Sequence, residues 1–338
     1  MRVGTALRRM AAASIMAGLV LSAPAAAQVA IERIKVHSPS VEGNLEGNSA
    51  DRDVIVVLPP SYGKESKKRY PVVYFLHGFS ATAERYDAVV KFGEAMEGEA
   101  ARGHEMILVV PDSYTKHGGS MYSDSATVGN FEGFIARDLV AYVDGHYRTL
   151  ARRDARGLAG HSMGGYGTFK IGMKYPGVFS SLYAMSACCL LPQPMTPERG
   201  KALEMLTPEE VLKGDFSVRA MFASAAAWSP APDKAPLFVD LPTRNGEPDR
   251  RVMAQWAANA PDIMIPQYAS SLKTMTAIAM DVGDKDTLLG SNQDMDRQLT
   301  RFGVTHKFET YDGDHMNHMP LRFRDFVLPF FAEHLATK

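Results

Sequence analysis

Cysteine is nearly absent from this chain. Two occur in 338 residues, and they are neighbours, Cys188 and Cys189. That excludes the disulfide framework of a small secreted scaffold, because a bond between adjacent residues closes a strained ring and staples no loop. Two buried free thiols are expected; the sharper alternative is a redox-sensitive pair beside a functional site. Excess charge of either sign is lacking as well. Setting aside Arg2, Arg8 and Arg9 leaves 34 basic residues of the 37 against 38 acidic ones. A balance so near neutral gives no reason to expect nucleic acid or an anionic membrane as partner. Internal repeats and low-complexity tracts are missing, and so are long apolar runs beyond the N-terminus.

The exception at the N-terminus has a recognisable form. Arg2, Arg8 and Arg9 precede an apolar run at 11–21, and Ala25-Ala26-Ala27 offers the small residues a signal peptidase needs. The run is shorter than the roughly 20 residues of a membrane span. Residues 1–27 are therefore expected to be a cleaved leader, which implies a periplasmic or secreted protein; an uncleaved anchor is the alternative. The remaining 28–338 is long enough for one large α/β domain or two small ones.

Short apolar runs alternate with helix-like stretches along this remainder. Strands are predicted at 31–36, 53–58, 72–76, 106–110, 157–159, 181–185, 275–282 and 304–311. The run Val72-Val73-Tyr74-Phe75-Leu76 has no polar alternation, as suits a strand buried on both faces. Helices are predicted from Phe131, with Phe134, Ile135, Leu139 and Val143 on one face, and over 166–175, 291–302 and 320–334. This alternation predicts an α/β fold with a mostly parallel sheet covered on both faces. Between 190 and 266 the pattern breaks into short pieces punctuated by proline. No independent core is visible there, so the stretch reads as an insertion over the active-site face.

The chemistry centres on Gly160-His161-Ser162-Met163-Gly164-Gly165. Glycine two before and two after a serine, between strand and helix, is the signature of a nucleophile elbow. An incidental serine in a glycine-rich turn would look the same, so the surroundings must decide. An acidic loop, Gly283-Asp284-Lys285-Asp286, and a histidine loop, Gly313-Asp314-His315, follow in that order, each just after a predicted strand. Serine, acid and histidine are the three residue types that acyl transfer requires, and their chain order here is that of the fold built around a nucleophile elbow. A hydroxyl is a weak nucleophile until an imidazole takes its proton, and the imidazolium needs a carboxylate to orient it. Asp286 is preferred over Asp284 and Asp281 as the acid, and His315 over His318 as the base. The strand at 72–76 runs into His77-Gly78-Phe79, which predicts the backbone N–H groups of Phe79 and Met163 as oxyanion donors. His77 itself reads as a packed loop residue. In the loop 117–125, Tyr122 and Asp124 either face the crevice or are simply solvated. A metal set of Asp312, Asp314, His315 and His318 lacks a cysteine or third histidine in a defined frame, so no metal and no cofactor is expected.

With these residues in hand, the chain resembles the esterase D family of α/β-hydrolases, which includes S-formylglutathione hydrolases, feruloyl and acetyl-xylan esterases and mycolyltransferases. The likeness runs through VVYFLHGFSATAERYD, PDSYTKHGGSMYSDSATVGNFEGFIARDLVAYVDGHYRT, GLAGHSMGGYGTFKIGMKYPGVFSSL, DVGDKDTLLGSN and YDGDHMNH. It implies an α/β-hydrolase fold and an acyl-enzyme mechanism with Ser162, Asp286 and His315 as triad and Phe79 and Met163 as donors. The substrate implied is a small-molecule or carbohydrate-linked ester. His161 stands where many members have leucine, and Met121 where feruloyl-type members often carry tryptophan. The leader argues against the cytosolic formylglutathione role. An acyltransferase and a non-catalytic binding protein are the competing expectations.

Overall fold

The computed structural model describes Met1 and residues 28–338. The expected leader lies, apart from Met1, outside the described residues. Eight strands form the central sheet: β1 (Ala30–His37), β2 (Asp51–Leu58), β3 (Val72–Leu76), β4 (Ile107–Pro111), β5 (Arg156–His161), β6 (Ser181–Met185), β7 (Ala277–Gly283) and β8 (Lys307–Tyr311). Their order is β1-β2-β4-β3-β5-β6-β7-β8. β2 runs antiparallel to both β1 and β4, and every pair from β4 to β8 is parallel.

All five residues of β3 are fully buried, which is why its sequence shows no alternation. The alternation is hidden in the direction of the side chains, since successive residues point to opposite faces. Val72, Tyr74 and Leu76 enter one core with Phe134, Tyr166 and Phe169. Val73 and Phe75 enter the other with Phe92, Phe323 and Phe331. Phe75, Phe92 and Phe323 meet edge to face at centroid distances of 5.0–5.3 Å, the geometry that ring quadrupoles favour.

The helix expected from Phe131 forms, and Phe134, Ile135, Leu139 and Val143 are all fully buried. It contains a π turn at Phe134–Asp138, and the closing helix has another at Phe323–Val327. The last two strands begin two and three residues later than their apolar runs suggest, at Ala277 and Lys307. The stretch 190–266 carries helices Pro197–Glu204, Pro208–Lys213, Phe216–Trp228 and Arg250–Ala258. Phe222, Trp228 and Trp256 from this stretch join the core beneath it. Trp228 and Trp256 pack edge to face at 5.1 Å, and their indole N–H groups donate to Ser123 and Ser229. Pro266 does not mark a boundary: it lies inside the helix Pro261–Leu272, whose Met264 and Ile265 are buried in the same core.

One feature of the strand order places the site. From β3 the chain moves outward to β4 and then returns to the other side of β3 as β5. Where successive connections diverge in this way, the loops at the C-terminal strand ends part and leave a crevice. Ser162 follows β5 there, and Phe79 follows β3.

Candidate active site

β5 ends at His161, and the helix Met163–Lys174 begins one residue after Ser162. Ser162 alone makes the turn, at φ 58° and ψ −116°, a conformation that L-residues avoid and surrounding structure must impose. The flanking glycines are sterically required. A Cβ on Gly160 would lie 2.4 Å from the carbonyl of Gly164, and one on Gly164 would lie 1.9 Å from the carbonyl oxygen of Leu76 at the end of β3. The Ser162 N–H donates to the Met185 carbonyl at 2.9 Å, which fixes the turn to β6.

The histidine loop brings His315 Nε2 to 2.9 Å from Ser162 Oγ, and His315 Nδ1 to 2.7 Å from Asp286 Oδ2. An ionised carboxylate only accepts, so Nδ1 carries the proton, and Nε2 is left to accept from the serine hydroxyl. The Asp286 side chain is wholly buried. Burial pushes its carboxyl up, but the bond from His315 and that from the Leu288 N–H, at 2.9 Å to Oδ1, outweigh it and hold the group below the ordinary carboxylate value. It is thus a charged, oriented partner for the imidazole.

The other candidates have different surroundings. Asp284 Oδ1 accepts the Gly313 N–H at 3.1 Å and so ties the acid loop to the histidine loop. Asp281 is fully buried, accepting from Tyr183 Oη and Arg322 Nε at 2.8 Å each. His318 packs edge-on against Tyr311. Among the described residues no group of three or more His, Cys, Asp or Glu is arranged to hold a metal ion.

The loop after β3 lies directly against Ser162, since a Cβ on Gly78 would come within 3.3 Å of Ser162 Cβ. The Ser80 N–H bonds the Gly118 carbonyl at 2.9 Å, and the Phe79 ring rests on Gly118 and Gly119. Met163, as first residue of its helix, has an N–H with no intrahelical acceptor, and its side chain meets the same Gly119. His77 is fully buried: Nδ1–H donates to the Gly78 carbonyl and Nε2 accepts from the Ser113 N–H, both at 2.8 Å. Burial lowers its pKa, so it stays a neutral brace.

The structure does not bring Tyr122 or Asp124 to Ser162. Tyr122 is fully buried, its ring against Gly167 and its hydroxyl donating to the His77 carbonyl at 3.0 Å. It supports the loop after β3 from behind because its side chain points into the core. Asp124 is exposed in a two-residue hairpin strand with Asn130 opposite. It belongs to the solvated side of the loop.

Of the cysteine pair, expected either as buried thiols or beside the site, Cys188 does lie against Ser162: its N–H donates to the Ser162 carbonyl at 3.1 Å. Its thiol is pushed well up by the Cys189 thiol and by burial, while the Ser162 hydroxyl pulls the other way. Both cysteines are free and half-buried. The partly buried Phe79 ring meets Phe216, 65 % exposed, at 5.3 Å. Sequence reasoning missed Phe216, because a contact made across 137 positions of sequence by an insertion helix leaves no local pattern.

A model of the Esterase family matches residues 48–335. An esterase of Mycobacterium tuberculosis is 36% identical over 132 residues, which are 38% of this chain and 27% of that protein. The match thus spans about a quarter of the length of that curated relative. A solved ferulic acid esterase superposes with a TM-score of 0.66 at 23% identity, over 92% of this chain and 100% of the other. An S-formylglutathione hydrolase from Agrobacterium tumefaciens does so with a TM-score of 0.63 at 17% identity, over 94% and 99%. At such identities the two structures speak for the α/β-hydrolase fold, while the match over 48–335 decides the family: the chain belongs to the Esterase family.

Proposed function

We propose that the protein is an exported serine hydrolase that cleaves carboxylic esters of small-molecule or carbohydrate-linked type. The observation that carries this reading is the unbroken hydrogen-bonded line from Ser162 Oγ through His315 to Asp286. Ser162 Oγ attacks the ester carbonyl carbon while His315 Nε2 takes its proton. The carbonyl π pair moves to oxygen, where the N–H groups of Phe79 and Met163 receive it. Collapse expels the alcohol, which leaves with the proton held on His315. Water then repeats the sequence on the acyl-enzyme, and Ser162 is released with the acid. No cofactor takes part.

The test is hydrolysis of p-nitrophenyl esters, acetate to octanoate together with a feruloyl ester, by the wild type and by Ser162→Ala. Hydrolysis lost in the variant is expected. Equal hydrolysis by both would overturn the serine mechanism. Absence of hydrolysis and of fluorophosphonate labelling would favour a binding protein. Product analysis with added sugar or alcohol acceptors separates hydrolysis from acyl transfer, which uses the same groups.

A further inference from the structure

His161 is the residue just before the nucleophile, and it is 2 % exposed. Both of its ring nitrogens are engaged. Nε2 lies 2.8 Å from the backbone carbonyl oxygen of His315, and Nδ1 lies 2.8 Å from Tyr86 Oη. A carbonyl oxygen only accepts, so Nε2 bears the hydrogen, and Nδ1 then accepts a hydrogen bond from the Tyr86 hydroxyl. Burial pushes the His161 imidazole down to about 3, so the ring stays neutral through the neutral range. The Tyr86 hydroxyl in turn packs directly on Gly78, where a Cβ would lie 2.2 Å from its oxygen. Contact on Gly78, next to Phe79, is therefore linked through Tyr86 and His161 to the backbone of His315. The rings of His161 and His315 also touch, at 4.7 Å between centroids.

We propose that His161 is a positioning residue that locks the loop of the base to the loop of the oxyanion donors across the nucleophile strand. The inference rests on reading Ser162, His315 and Asp286 as the reacting set. The physical need is clear. His315 is half-exposed and sits on a loop after β8, and Asp286 restrains only its ring. Both ring nitrogens of His315 are bonded to side chains, but those bonds leave the loop backbone that carries the ring free to shift. Fixing the His315 carbonyl removes that freedom, and the packing of Tyr86 on Gly78 links the same point to the loop that carries the Phe79 N–H. Misplacement of a reacting group by about 1 Å costs around 10²-fold in rate.

The experiment compares His161→Leu, His161→Gln and Tyr86→Phe in the full chain. Three readouts are taken: kcat and KM on a p-nitrophenyl ester, the rate of fluorophosphonate labelling, and the downfield proton resonance of His315 Nδ1–H. His161→Leu is expected to lower kcat by about 10- to 100-fold with KM within about threefold, to slow labelling in parallel and to broaden the Nδ1–H resonance. His161→Gln keeps a donor for the His315 carbonyl and should recover most of the rate and the resonance. Tyr86→Phe should fall between them, and it serves if the leucine variant does not fold. Wild-type kcat in His161→Leu, or no recovery with glutamine beyond that with leucine, would overturn the proposal while leaving the serine mechanism intact. If the wild type hydrolyses nothing, the reading of the function fails, and the resonance still decides the positioning role.

Discussion

Asp284 and Asp286 are two residues apart, equally acidic in sequence, and act on different partners. Asp286 faces the imidazole, whereas Asp284 accepts a backbone N–H from Gly313. Asp286→Asn would present an amide to His315, favour the wrong tautomer and lower kcat by up to roughly 10⁴. Asp284→Asn keeps its acceptor oxygen and should stay within about threefold of wild type, as measured on the same ester. An equal loss in both variants would show that the loop, not the carboxylate, is what matters. Glu46 offers a second test at this scale. Its side chain is 2 % exposed, Oε1 has no hydrogen-bond partner among the described residues, and it faces the buried His117 ring at 3.5 Å. Burial raises its pKa from 4.5 to about 7. An acid whose folded value lies above its unfolded one contributes least when ionised, so stability falls as pH rises from about 4.5 to about 7, by up to about 3 kcal/mol. His117, lowered to about 4, has the opposite slope below its unfolded value. Comparing wild type with Glu46→Gln at each pH largely removes the His117 contribution. The Tm advantage of the glutamine variant should be larger at pH 8 than at pH 5; a constant gap would mean that Glu46 is not held neutral by burial.

At the scale of elements, the elbow shows how geometry chooses residues. A Cβ on Gly164 would stand 1.9 Å from the Leu76 carbonyl oxygen, and no rotamer relieves a backbone clash. Gly164→Ala must push the helix Met163–Lys174 away from β3, at about 1–3 kcal/mol or more, and should lower Tm and activity together. Gly98, within the helix Phe92–Ala101, has nothing within 4 Å of such a carbon. Gly98→Ala should instead stabilise by about 0.5–1 kcal/mol through helix propensity and a less flexible unfolded chain. Thermal melts of the two variants check both signs. The sheet and its order of strands and helices were legible because β3, β6 and their neighbours are short apolar runs bounded by turn residues. Ser162, Asp286 and His315 stood out because each follows a strand in the serine, acid, histidine order of the α/β-hydrolase fold, and the structure brings these three side chains together. The link from His161 to Tyr86, the buried direction of Tyr122 and the helix that runs through Pro266 were not legible. Each depends on contacts between segments far apart in sequence, and a single side chain leaves no periodicity to read.

At the scale of the molecule, Phe79, Ser162, Asp286 and His315 come from four separated segments, which follow β3, β5, β7 and β8 and meet because these parallel strands end at one edge of the sheet. Among the described residues no helix is long and apolar enough to cross a membrane. Our reading of 1–27 as a leader predicts that expression in a bacterium with an intact secretory pathway yields protein beginning at Gln28, two residues ahead of β1. N-terminal sequencing and intact mass of the exported fraction measure this, and retention of Met1 on the exported protein would overturn it. Export to an oxidising compartment, as proposed, would put Cys188 and Cys189 to a test. A bridge between neighbours is strained, the Cys188 thiol is pushed well up, and both side chains are half-buried. The thiolate is the form that reacts with oxidants, so air-purified native protein should still titrate two thiols after denaturation. A titre of zero would mean that the pair closes in spite of its strain. Because the Cys188 backbone is bonded to Ser162, such closure should also change the rate of ester hydrolysis, and reduction should restore it.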